Sequence, residues 1–302
     1  MLPAALIASG IAAAESVPAS ELSGLFVRYN LEVWPGHVIA YVLTAVAMGL
    51  LVLRPGVTAS RATAGLLAAM WLWTGVVFHG MYATDLDPVL GTIYAVLFVL
   101  QAVLLLRSGV LRDGLTFTTG RGATGAIGWL SLAYALIAYP LIGVALGHGY
   151  PEAPLLGMAP CPTTIATLGF LLLARPPLPR HLLAIPLVWA ILGPLGAVPQ
   201  GMTEDVGLFV IGVVATVSVF SRDRGARSPR SVHPTPAERA DGAVRPSDLA
   251  AAPITAGCGR GSGSLDFPTA VAGWSARQCG PHRGPPTGRR WQVRRPVDAG
   301  QR

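Results

Sequence analysis

His37, His79, His148, Cys161 and Glu152 are the side chains through which this chain has the means to do chemistry. Imidazole, thiolate and carboxylate are the usual ligands of a transition metal. A thiol beside an imidazole is also the pair that a cysteine nucleophile needs. None of these residues stands at a ligand spacing such as H-x-x-x-H or C-x-x-C, so any site they form must be assembled by the fold. The densest stretch runs from Gly147-His148-Gly149-Tyr150-Pro151-Glu152 to Pro160-Cys161-Pro162-Thr163-Thr164. There the flanking prolines are expected to hold Cys161 in an extended frame near His148, with Thr163 or Thr164 capping the helix that follows. The competing reading is a rigid turn whose cysteine packs, beside histidines and carboxylates that hydrate ordinary loops. No Walker loop, dinucleotide fingerprint, G-x-S-x-G or H-E-x-x-H is present, so the motifs leave the cofactor unknown.

The elements that must position these residues are apolar helices. The chain has 302 residues, 52% hydrophobic and 12% charged, about half the charged fraction of an ordinary soluble domain. A bilayer core of about 30 Å takes about 20 apolar residues in a helix. Seven apolar runs stand out, at 38–53, 62–82, 89–106, 125–146, 163–174, 182–198 and 206–220, the fifth of them short. The connections alternate in charge. Arg54 and Arg61, then Arg107, Arg112 and Arg121, then Arg175 and Arg180, then Arg222 and its successors fall on one side. Asp85 and Asp87, then Glu152, then Glu204 and Asp205 fall on the other. By the positive-inside rule this predicts seven spans, with the N-terminus outside and the C-terminus cytoplasmic. The candidate residues then gather at the outer boundary, with His37 opening the first span and His79 closing the second.

The formal charge of +7 is not a nucleic-acid signal for the body. Residues 1–221 hold 8 Arg against 9 acidic residues, whereas 222–302 hold 14 Arg against 6. That tail, rich in Arg, Pro and Gly, is expected to be disordered and cytoplasmic. Residues 1–18 form an apolar segment, signal-like or the product of a misassigned start, and 19–221 the transmembrane domain. Leu22, Leu25, Phe26 and Tyr29 share one face of a short helix expected at the outer interface. Three cysteines, Cys161, Cys258 and Cys279, do not describe a disulfide framework. Within the spans, Gly143 with Gly147, and Gly65 with Ala69, have the small-x-x-x-small spacing of close helix crossings. Pro140, Pro186 and Pro194 are expected to kink their helices. Gln101 is expected to bond to a neighbouring helix, and no span carries an internal charge.

Tyr29-Asn30, Trp34-Pro35, Trp71-x-Trp73, His79, Tyr150-Pro151 and Pro160-Cys161-Pro162-Thr163-Thr164 occur in the order and spacing of one bacterial group. Over residues 20–220 the chain resembles the multi-spanning membrane-protein family catalogued as domain of unknown function 6064. One departure is Asp87-Pro88, where the family pattern reads Asn-Pro. The resemblance implies a multi-spanning protein and no established activity; with the charge alternation, the expected fold is an all-α, polytopic bundle of a bacterial cytoplasmic membrane. The expected partner is the lipid bilayer, with no nucleic acid. The leading functional expectation is binding or transport of a metal ion or small ligand at the outer face. The alternatives are an enzyme using Cys161 as nucleophile, and a scaffold or sensor without chemistry.

Overall fold

The computed structural model describes residues 19–227, within the first of the two units into which the chain divides, Met1–Val232. The N-terminal segment 1–18 and residues 228–302 of the expected tail lie outside the described residues. The described chain is an all-α bundle of eight helices. They are α1 (Ala19–Glu32), α2 (Gly36–Leu53), α3 (Val57–Asp85), α4 (Pro88–Leu111), α5 (Gly122–Ala145), α6 (Pro160–Leu173), α7 (His181–Gln200) and α8 (Val206–Arg227). Extended pairing among the described residues is confined to one bridge, Phe117 with Ala174. Six of the helices are long and apolar enough to cross a membrane, the last counted as Thr203–Arg224 with its lead-in turn. They turn apolar side chains such as Val96, Leu130, Ile137 and Val217 outwards. These features are compatible with a membrane protein.

The short fifth apolar run, expected to be a span, becomes instead the centre of the bundle. All 14 residues of α6 are buried, and at 1.5 Å per residue it is too short to cross a bilayer by itself. It begins at Pro160, three residues before the threonines expected to cap it. Cys161 is therefore helical rather than extended. Pro160 and Pro162 both fall in the first turn, where a missing N–H costs nothing because those donors have no intrahelical acceptor. The threonine hydroxyls donate backwards along the helix, Thr163 to Ala159 O at 2.6 Å and Thr167 to Thr163 O at 2.8 Å, leaving none bare in the core. Trp71 of α3 donates Nε1–H to the Thr167 hydroxyl at 2.8 Å. At the far end of α6, the Arg222 guanidinium donates to the carbonyls of Leu172 and Ala174 and caps the helix. This contact lies on α8, which continues past the composition change at 221 to Arg227.

Close crossings fall at glycines other than those whose spacing suggested them. A Cβ on Gly128 of α5 or on Gly169 of α6 would stand 3.0 Å from the other's carbonyl oxygen, so these two helices touch backbone to backbone. Gly147 instead ends α5 with φ of +94°, and His148 N–H returns to Gly143 O at 2.7 Å. Gly65 meets a neighbouring side chain only at ordinary contact distance, and Ala69 is exposed. Gln101 meets its expectation, donating to Leu182 O of α7 at 3.0 Å.

Three wide π turns interrupt the spans, at Thr74–Tyr82, Leu106–Leu111 and Tyr134–Ala138. The last ends two residues before Pro140, which has no N–H to return to the carbonyl four residues earlier; widening the turn there follows from that missing donor. Pro186 and Pro194 lie inside α7 without ending it.

The two ends of the bundle differ in chemistry. At one end, Arg61 pairs with Asp113 at 2.6 and 2.7 Å, holding that carboxyl below its usual range. Ser108 meets His181 there at 3.1 Å. At the other end, α1 is strapped down by its C-terminal half. Arg28 pairs with Asp85 at 2.5 Å, and Tyr82 donates to Glu32. Asn30 donates to the carbonyls of Pro151 and Ala153 at 2.6 and 2.8 Å, while Tyr29 donates to Met158 O and accepts from Trp73.

Candidate functional site

A cavity of about 190 Å³ opens at the strapped end. Its roof is the N-terminal half of α1 (Leu22, Leu25, Phe26), and its walls come from α3, α4, α6 and α7. His79 and Cys161, assigned to the outer boundary by sequence, both line it. His79 does not hydrate a loop. It sits in the first π turn, 2% exposed, within ring contact of Phe98 at 4.7 Å, Phe78 at 5.1 Å, Trp189 at 5.2 Å and Tyr94 at 5.6 Å. Neither of its ring nitrogens has a hydrogen-bond partner in the protein. A buried imidazole in either tautomer presents one donor and one acceptor, so this ring holds two open hydrogen-bonding positions at the cavity wall.

Cys161 is buried at the start of α6, near Asp205 and the Trp189 indole. The Trp189 N–H is buried without a hydrogen-bond partner. The groups near the sulfur are carboxyls and an indole, with no cation among them to stabilise a thiolate. Gly193 of α7 leaves room for this meeting: a Cβ there would lie 3.0 Å from Trp189 Nε1 and 3.2 Å from Cys161 Sγ.

His148 does not join Cys161. Its ring packs 3.6 Å from where Gly201 would carry a Cβ and faces Glu204. His37 lies apart again, its ring 5.1 Å from Trp34 and 5.3 Å from Tyr150. Glu152 is half-buried in the turn after α5, its backbone N–H on Gly149 O. Among the described residues no three of His, Cys, Asp and Glu stand close enough to hold a metal ion.

The residues that sequence reasoning underrated are Glu204 and Asp205. Read as loop hydration, they are 2% and 1% exposed and form the turn that leads into α8. Tyr139 donates to Asp205 Oδ1 at 2.6 Å, and Tyr134 donates to Glu204 O at 2.7 Å. Both carboxylate oxygens of Glu204 lack a partner, and Oε1 stands 3.4 Å from where a Cβ on Gly143 would be. The available signal was two tyrosines inside one span and an acidic pair at the start of another, but their facing required the fold.

The family model described as Family of unknown function (DUF6064) matches residues 22–230. The chain belongs to this family. The match bears out the resemblance carried by the ordered motifs, and it includes every residue of the cavity. No curated protein and no solved structure matches the chain. Several DUF6064 motif residues have a structural use here. Tyr29, Asn30 and Trp73 strap α1, Trp71 ties α3 to α6, and Thr163 accepts from Gly157 N–H at 2.9 Å. Asp87, at the Asp-Pro variation, caps α4, its Oδ1 accepting from Val89 and Leu90 N–H at 2.9 Å.

Proposed function

We propose that this DUF6064 protein is a binding protein of the bacterial cytoplasmic membrane, taking a small, largely apolar molecule into the cavity roofed by α1. The observation that carries the reading is His79, buried in the cavity wall with both ring nitrogens unpartnered. An apolar pocket with a few convergent polar groups is the usual form of a small-molecule site. A volume near 190 Å³ also suits a single-ring ligand, since an engineered cavity of ~150 Å³ accepts benzene. A resident metal has no support from a three-ligand cluster, so the small-ligand reading is preferred. The arginine alternation supports placing the cavity on the extracytoplasmic side, where α1 lies in the interface.

The test uses ethylbenzene and benzyl alcohol, which share a shape and differ in one hydrogen-bonding group. With the full chain in lipid nanodiscs, and partitioning into empty discs subtracted, both are expected to bind saturably. Benzyl alcohol is expected to bind several-fold more tightly, the net effect of one hydrogen bond. His79→Phe is expected to abolish that preference. Absence of saturable binding by either probe overturns the reading.

A further inference from the structure

The carboxyl groups lining the cavity have no cationic counterpart there. Asp87 and Asp205 line it, and among the described residues no arginine does. Asp205 Oδ1 has one donor, the Tyr139 hydroxyl, while adjoining Glu204 is buried with both oxygens unpartnered. The charged groups nearby do not neutralise this end. Arg28 is half-exposed and engaged with Asp85, and His148 faces Glu204 from outside the lining. The walls are rings: Tyr94 and Trp189 meet edge to face at 5.0 Å, with Phe26 and Phe78 stacked at 5.4 Å beside them. Aromatic faces carry the negative end of a quadrupole and attract cations. The open imidazole of His79 adds a hydrogen-bond acceptor at the same cavity.

Resting on the reading of the cavity as a ligand site, we infer that its ligand class is a small organic cation, a protonated amine on an apolar body. The ammonium end belongs beside Asp205, where it supplies the counter-charge a buried carboxylate lacks. The apolar body lies against Tyr94, Trp189 and Phe78. An anionic ligand would meet two carboxyl groups and no cation, whereas an ammonium group lets Asp205 hold its charge without taking up a proton.

Benzylammonium tests this, because it is the charged isostere of ethylbenzene. In zwitterionic nanodiscs at neutral pH and low salt, it is expected to bind the full chain about tenfold more tightly than ethylbenzene, as charge-assisted hydrogen bonds do. Asp205→Asn keeps an acceptor for Tyr139 and is expected to bring the ratio close to one. Glu204→Gln is the second variant should Asp205→Asn fail to fold, and is expected to lower the ratio. If ethylbenzene and benzyl alcohol bind but benzylammonium binds no better, the amine class is overturned and the cavity reading stands. A tenfold preference that survives both substitutions overturns the carboxylate as its source. If none of the three probes binds, the cavity reading falls and this inference falls with it.

Discussion

At the scale of single residues, the candidate site is a balance between groups satisfied by the fold and groups left open. Tyr139 satisfies Asp205 and Tyr134 satisfies the Glu204 carbonyl, yet His79 and the Glu204 carboxylate keep open positions. A buried polar group without a partner costs about 1–3 kcal/mol, so each open position is an expense that a bound ligand would offset. Glycines show the opposite case, where the fold leaves nothing open. Gly157 has φ of +81°, and a Cβ there would lie 2.5 Å from Ala40 Cβ and 3.2 Å from Met70 Cε. Gly157→Ala therefore combines left-handed strain with overpacking and is expected to lower stability by about 3 kcal/mol. Gly24→Ala, on α1 with open space around it, is the contrast. There, better helix propensity is expected to raise stability by up to about 1 kcal/mol. Chemical unfolding of both variants in detergent measures the pair, and equal effects would refute the assignment of Gly157 to a tight crossing.

At the scale of elements, three short pieces determine where the site residues point. The π turn at Thr74–Tyr82 carries His79 into the ring cluster, and a regular helix would have placed it at a different angle. The turn Thr203–Asp205 buries the acidic pair just before α8. The Asp87 cap starts α4 at Pro88 and so sets the position of Tyr94 and Gly91 at the cavity. Asp87→Ala is expected to cost about 1 kcal/mol of stability, while Asp87→Asn, which still accepts at the cap, is expected to retain most of it. Thermal unfolding of the two variants distinguishes a capping role from one of charge alone. If Asn and Ala cost the same, the cap is not what Asp87 contributes.

At the scale of the whole molecule, the described bundle separates an arginine-rich end from a cavity-bearing end where carboxyl groups predominate. That separation was legible in the order of Arg54, Asp85, Arg107, Glu152, Arg175 and Glu204 along the chain, because each apolar segment reverses direction. The orientation it predicts is checked with single cysteines in a chain whose own three are replaced by serine. Thr203→Cys is expected to react with an impermeant thiol reagent on intact cells, and Arg112→Cys only after permeabilisation; the reverse pattern would invert the topology.

The number and order of apolar segments, the charge alternation and the DUF6064 motifs could all be read from the sequence. Composition and segment length suffice for those, since they follow from what each segment exposes to its surroundings. Which polar side chains converge could not be read, and the reason is physical. A helix packed between lipid-facing and protein-facing surfaces is apolar all round, as α7 is over His181–Ala197, so periodicity does not reveal which face holds Trp189. The tertiary structure alone put α6 at the centre, turned Cys161 toward Asp205 and away from His148, and closed four rings around His79. Those outcomes depend on backbone contacts at Gly128 and Gly169, on the π turns and on the helical start at Pro160. None of these leaves a repeating mark in the sequence.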